Sequence, residues 1–347
     1  MNATKPLLPS MRKERYTIRF LTPAFLGDAE QDARWRTPPF KHLLREWWRV
    51  AWWSAHRNGG ASIAAMRREE GRLFGHAWLE DDRIEDERGR ISTVAARRSA
   101  VRIRLFHPDD DGAAKAKELW KGKATQGGAP LKTGDLSVGY AWFGFANRGR
   151  EQPDRRRLEA GEARVLVLAY PEGHENDIQA AMNLAHSFGT LGSRSRGGWG
   201  SLHVDDQTLF NAAQLRPYTD SLEGCLSRDW AAAIAADDQG PWLWRSSKTV
   251  ATWGEAIEQG ARDRRQVRTA LKLDSDLRSA LGFASPGRMP SPLRWKVVRE
   301  SQGLRLQVVA MPHRIPEEAG AKLTPDQLKR AWGVVRRALD GRFDRVR

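Results

Sequence analysis

The sequence predicts an α+β chain of two ferredoxin-like (RRM-like) βαββαβ domains, with insertions in the first. Three observations carry this. The chain has 347 residues, about two domains at roughly 150 residues each. Short alternating or apolar runs of strand length are interspersed with longer helical periodicities. Their order is strand, helix, strand region, strand, helix, Gly-rich loop, strand, which is the ferredoxin-like order. The first domain is expected over residues 1–207, and a degenerate second one over 208–347.

The elements follow in order. Residues 1–15 read as a lead-in. Tyr16–Leu21 (YTIRFL) alternates as a strand does. Pro38-Pro39 then pre-set the first turn of a helix running to about Arg57, where Asn58-Gly59-Gly60 stops it. A short helix is expected near Ile63–Phe74, an acidic run at Glu80–Glu87, and a strand at Val101–Phe106 (VRIRLF). Asp109–Gly134 is charged and Gly-rich and reads as a short helix with a loop. The aromatic Leu136–Phe145 reads as a strand and Asn147–Arg157 as a basic turn. Ala163–Tyr170 (ARVLVLAY) is nearly all apolar, so it reads as a strand buried on both faces. Asn176 or Asp177 is expected to cap a helix that Gly189 ends. Gly192–Ser201 is a Gly-rich loop, and Leu202–Val204 closes the domain. In the second half, helices are expected near Arg228–Ala236 and Trp253–Leu271. A hairpin is expected over Arg294–Arg299 and Leu304–Ala310, and Thr324-Pro325 opens a last helix.

Charge points to the partner. Lys and Arg number 58 against 43 Asp and Glu, giving a net charge of +15 and a pI near 10.4. Most of the bases are arginine, and there are 15 Trp. Such an excess attracts a polyanion. Guanidinium groups pair with phosphates and indole rings stack on unpaired bases, so the composition favours single-stranded RNA. A GC-rich genome would also raise arginine, and composition alone leaves that open. The single cysteine, Cys225, excludes an internal disulfide framework, cysteine zinc sites and iron–sulfur clusters. Mean hydropathy is −0.63, and no apolar run approaches membrane-spanning length. The first fifteen residues lack the apolar stretch of a secretory signal. A cytoplasmic protein without a membrane partner is expected.

The helix at Pro38–Arg57 has two faces. With Lys41 at 0° and about 100° per residue, Phe40, Leu43, Leu44, Trp47, Val50 and Ala51 fall on a core arc. Lys41, Arg45, Trp48, Arg49 and Trp52 fall within about 100° of one another, with Glu46 apart. That stripe alternates cations with indoles and reads as a basic surface for RNA or a partner protein. A solvated basic face is the plainer reading, but water is a poor partner for indole.

The loop Gly192–Gly200 (GSRSRGGWG) is the second candidate. Its glycines permit positive φ and close backbone approach to a phosphate. Arg194 and Arg196 would add bidentate phosphate contacts, and Trp199 a stacking surface. It matches neither a P-loop nor a dinucleotide-binding turn. A surface turn with no ligand is the alternative.

Four segments also carry a resemblance. YTIRFLTPAFLGDAE, RWRTPPFKHLLREWWR, LGSRSRGGWGSL and RMPSPL (Arg288–Leu293) resemble RAMP-superfamily proteins of CRISPR systems. More narrowly, they resemble the first-RAMP-subunit family of the type III-B Cmr effector complex. The resemblance implies ferredoxin-like folds and a non-catalytic RNA-binding subunit acting in antiviral defence. Its implied partners are guide CRISPR RNA, near its 3′ region, target RNA and the other RAMP subunits. Target cutting belongs to another subunit of such complexes. The expected RNA contacts are Arg34, Arg36, Lys41, Arg45, Trp48 and Arg49 at the helix and its entry, and Arg194, Arg196, Gly197, Gly198 and Trp199 in the loop. His42 stands where the family helix often has glycine.

Catalytic inventory is poor. None of the 8 histidines forms a HExxH or paired-ligand spacing, so no metal or cofactor is expected. Asp109-Asp110-Asp111 would suit Mg²⁺ but reads better as a solvated turn. A RAMP-type endoribonuclease processing precursor CRISPR RNA is the rival reading, with His42 or His203 as general base. A free-standing single-stranded RNA-binding module is the third.

Overall fold

The computed structural model describes residues 10–29, 32–77, 83–85, 89–108, 124–125, 140–141, 156–273, 277–284, 287–320 and 323–347. The chain is α+β. Its first half contributes β1 (Met11–Phe20), α1 (Thr37–His56), α2 (Ile63–Phe74), β2 (Arg102–Phe106), β3 (Ala163–Pro171), α3 (Glu175–Phe188) and β4 (Leu202–Val204). These strands form one sheet in the order β4-β1-β3-β2, with every neighbouring pair antiparallel. The second half contributes β5 (Leu243–Arg245), α4 (Trp253–Leu273), β6 (Leu293–Glu300), β7 (Gly303–Ala310), α5 (Pro325–Asp340) and β8 (Asp344–Arg345). Its sheet runs β6-β7-β5-β8, again antiparallel throughout.

The inward residues of β1, Ile18 and Phe20, are fully buried, and Trp47 of α1 packs on Phe188 of α3 at 5.6 Å between ring centroids. Arg36 precedes α1 in extended backbone, and proline stands in the first turn, where a missing N–H costs nothing. Ser62 caps α2 by accepting from the Ala65 amide, and Thr324 caps α5 through a reciprocal box with Gln327.

The halves share their interior. Ile234, Leu243 and Val309 enter the core under the first sheet, and Leu21, Phe25 and Trp199 enter the core under the second. The outer strand β6 lies against the C-terminal end of α3. There Lys296 Nζ donates to the carbonyls of Ala185, at 3.2 Å, and His186. Gln307 Nε2 donates to Ser187 O at 2.7 Å, and the Val297 amide to Ser201 Oγ at 2.9 Å. Ala185 O also accepts from the Gly189 amide at 2.7 Å, while the bonds to His186 and Ser187 satisfy carbonyls of the last turn of the helix.

Several expectations are corrected. β1 begins at Met11, because residues 11–15 pair with Pro171–Val167. α3 begins at Glu175 behind an N-cap at His174, so Asn176 and Asp177 stand inside its first turn. The helix expected over Arg228–Ala236 is absent. Ile234–Asp237 is instead the middle strand of a small sheet with Thr219–Ser221 and Gly240–Pro241. Alanine favours helices, but Ala232, Ala233 and Ala235 are buried, and packing decides their conformation. Of Leu136–Phe145, only Tyr140 and Ala141 are described, and they are helical. Asp109–Gly134, apart from Ala124 and Thr125, lies outside the described residues, as do most of Glu80–Glu87 and all but Arg156 and Arg157 of Asn147–Arg157.

Candidate nucleic-acid interface

Four segments from three distant regions of the chain meet around one cleft of about 490 Å³. Phe25, Leu26 and Gly27 form one wall, and Arg36, Pro39, His42 and Glu46 of the α1 entry form another. Gly192, Ser193, Ser195 and Arg196 of the Gly-Arg loop form a third, and Arg288 closes the rim. The N-terminal turn of α1 carries no acidic residue, so the positive end of its dipole is not offset there. Arg36 also donates to Gly27 O at 2.6 Å, which ties the first wall to the second.

Glu46 is the one acidic residue among the described residues that line the cleft, and it is already engaged. Its Oε1 accepts from Arg196 at 2.7 Å and from Arg294 at 2.8 Å. Burial raises the Glu46 pKa, but the two guanidinium groups outweigh that and hold it well below the usual carboxylate range. Arg294, 5% exposed, lies over the Trp47 ring at 4.8 Å, and burial lowers its pKa to about 10. It stays charged at neutral pH. Arg196 therefore does have an acidic neighbour, supplied by α1 from outside the loop.

The loop is a wedge between the halves. Gly198 O accepts from Thr22 Oγ1 at 2.7 Å and Ser201 Oγ at 2.8 Å, and Arg196 O accepts from the Trp295 amide at 3.2 Å. Gly200 has φ +61°, and a Cβ there would lie 1.9 Å from Leu191 O. Gly192, φ +94°, is closed in the same way by Phe25 O at 2.7 Å. These glycines serve packing of backbone on backbone. Gly198 is buried, and so is Trp199, whose Nε1 donates to Ala141 O at 3.1 Å while its ring packs on Phe25 and Trp253. The expectation of a stacking surface at Trp199 is corrected. The apolar ring is worth more in the shared core than in water. Gly197 is buried too, and Arg194 is exposed with φ +59°.

The basic stripe on α1 is also corrected. Trp48 is 1% exposed and Trp52 is buried, because α2 covers that flank and sets Phe74 edge-on to Trp48 at 5.6 Å. Arg45 and Arg49 both donate to Glu70 Oε1 of α2, Arg49 at 2.6 Å. They stay partly exposed and line a separate cleft of about 310 Å³ with Arg67 and His76. Arg34 pairs with Asp28 at 2.9 Å and Asp32 at 3.7 Å. Lys41 is half-buried, and burial together with Arg45 lowers its pKa. The structure thus brings Arg36 and Arg196 into one cleft and leaves Arg34, Lys41, Arg45, Trp48 and Arg49 off it. Arg288 and Arg294 complete the arrangement. Only the RMPSPL segment signalled Arg288, and nothing in the sequence singled out Arg294.

Among the described residues, no three His, Cys, Asp or Glu side chains group as metal ligands, and Asp109–Asp111 lie outside them. No helix among the described residues is long and apolar enough to cross a membrane. His42 lines the cleft. His203 does not. Its ring packs tilted against that of His186 at 5.1 Å between centroids, and burial lowers its pKa to about 4.

No family model matches the sequence, and no curated protein matches it. Among solved structures, the chain is similar to Cmr1 of Pyrococcus furiosus in its apo form. That match has 16% identity and a TM-score of 0.45 over 94% of this chain and 97% of that one. It is similar also to a chain of the type III-B Cmr-beta complex bound to cognate target RNA and AMPPnP, at 10% identity and a TM-score of 0.46, covering 94% and 98%. A third match, in Cmr-beta bound to cognate target RNA, has 9% identity and a TM-score of 0.45, covering 95% and 99%.

Proposed function

We propose that this chain is a non-catalytic RNA-binding subunit of a type III-B CRISPR RNA-guided complex. In this reading the two halves are two ferredoxin-like domains. The chain contacts the guide near its 3′ region and the target RNA, and it docks against other RAMP subunits in the cytoplasm. One observation carries the proposal: the four segments that bear the RAMP resemblance converge on the cleft between α1, the Gly-Arg loop and Arg288. Arg36, Arg196 and Arg288 face it, and its one carboxylate is neutralised by two guanidinium groups. Such a cleft attracts a phosphate backbone without reading sequence.

The test is RNA affinity across a salt series. Each single-strand phosphate neutralised adds about 0.7 to the log–log slope, so three contacts give roughly −2. A slope near zero overturns the reading. Co-purification of other RAMP subunits from the native host separates it from a free-standing module.

His42 in the cleft lining favours one alternative, a metal-independent endoribonuclease using that imidazole as base. Cleavage of repeat RNA by purified protein without metal, abolished by His42→Ala, would establish that reading instead.

A further inference from the structure

The Gly-Arg loop has a second side. There Arg194, Arg264 and Arg268 line a cavity of about 150 Å³, with Tyr140 and Trp295 in its wall. Arg196 borders this cavity and the larger cleft alike, so the loop is the partition between them. No acidic residue is found among the described residues that line the small cavity.

Arg264 is the telling group. It stands on α4, and its Nε donates to Gly260 O at 3.1 Å. Its charge lies over the Tyr140 ring at 5.5 Å. Its Nη1 rests against Gly197, where a Cβ would come within 1.8 Å, so glycine there makes room for the guanidinium. Its Nη2 is buried and has no hydrogen-bond partner among the described residues. Burial and the nearby Arg194 lower its pKa to about 10, so it remains charged at neutral pH. A half-buried cation whose inner nitrogen is shut off from water, beside other cations, is costly unless an anion offsets it. The volume corresponds to about five waters, room for a phosphate group and little more.

We propose that the cavity lined by Arg194, Arg264 and Arg268 holds a phosphodiester of single-stranded RNA, so that a strand lying in the Arg36–Arg288 cleft crosses the Gly-Arg loop onto α4. The proposal rests on the RNA-binding reading above and adds α4 to the path. Arg264 supplies a planar fork suited to two phosphate oxygens, and Arg268, one turn further along α4, supplies a second donor to the same space.

The test uses the full chain and a fluorescein-labelled, mixed-sequence single-stranded RNA, with anisotropy read across a salt series. Arg264→Gln and Arg268→Gln should each weaken binding about ten-fold, the low end for a hydrogen bond to a charged group. Each should also reduce the magnitude of the salt slope by about 0.7. Arg268→Gln carries the test alone if Arg264→Gln does not fold. If both variants bind as wild type while Arg36→Ala with Arg288→Ala loses RNA, the α4 site is wrong and the functional reading stands. If wild type binds no RNA, the functional reading itself falls, and this site with it. Inorganic phosphate and AMP form the last arm. Thermal stabilisation by either that Arg264→Gln removes, with RNA affinity unchanged, marks a small-anion site and overturns the RNA assignment.

Discussion

Arg294 and Glu46 lie 248 residues apart in the chain and meet at 2.8 Å. The bond joins the outer strand of the second sheet to the first helix, directly behind the cleft. Arg196 takes the same carboxylate oxygen, so one acid holds the Gly-Arg loop, α1 and β6 together. The wall of the cleft and the junction between the halves are therefore one structure.

Glu46→Gln should be strongly destabilising. It leaves Arg294 buried over Trp47 without its carboxylate, and breaking a buried pair from one side costs about 3–5 kcal/mol. The denaturant midpoint should fall accordingly, and Glu46→Leu with Arg294→Met should recover most of the loss. Equal stability of Glu46→Gln and wild type would refute the clamp.

Trp47→Ala and Trp48→Ala should each cost about 3–5 kcal/mol, as large core truncations do. Both rings are buried, Trp47 against Phe188 and Trp48 against Phe74. Thermal unfolding checks this. A near-neutral Trp48→Ala would return that ring to the surface.

Arg288→Ala should leave the melting temperature within a degree or two, since surface substitutions change stability by under about 0.5 kcal/mol. The same change should weaken RNA binding by roughly 1–2 kcal/mol as one charge-assisted contact is lost. Isothermal titration at fixed salt reads the affinity, and a melting curve the stability. Unaltered affinity would remove Arg288 from the interface.

Stability should fall as pH drops from about 6.5 toward 4. Burial, then the neighbouring Lys296, lower the His186 pKa to about 3, and burial lowers that of His203 to about 4. Both are near 6.5 when unfolded. In that window the unfolded chain binds more protons, so protonation favours unfolding, and the contribution is fully present only above the unfolded pKa. A ten-fold difference in proton affinity between the folded and unfolded chain corresponds to about 1.4 kcal/mol of stability. His203→Gln should flatten the curve of urea midpoint against pH over this window. An unchanged slope would show that carboxylates alone set it.

The sequence by itself determined the local elements and their order. Pro38-Pro39 opened α1, Gly189 closed α3, and the apolar run Ala163–Tyr170 specified a strand, because propensity and period act within a few residues. Charge and glycine also marked two segments of the cleft, the α1 entry and the Gly-Arg loop, and the family resemblance marked the other two. What only tertiary structure decided was which faces are covered. The helical wheel placed Trp48 beside Arg45 and Arg49 but held no information that α2 would fold over that flank and bring Glu70 to both arginines. The Gly-rich loop read as open to a phosphate, yet two of its glycines are closed by the carbonyls of Phe25 and Leu191. Arg294 and Arg264 were two arginines among many until β6 and α4 packed against the loop. Burial and pairing across long separations are set by how the elements dock, and a one-dimensional pattern records only the residues available to be docked.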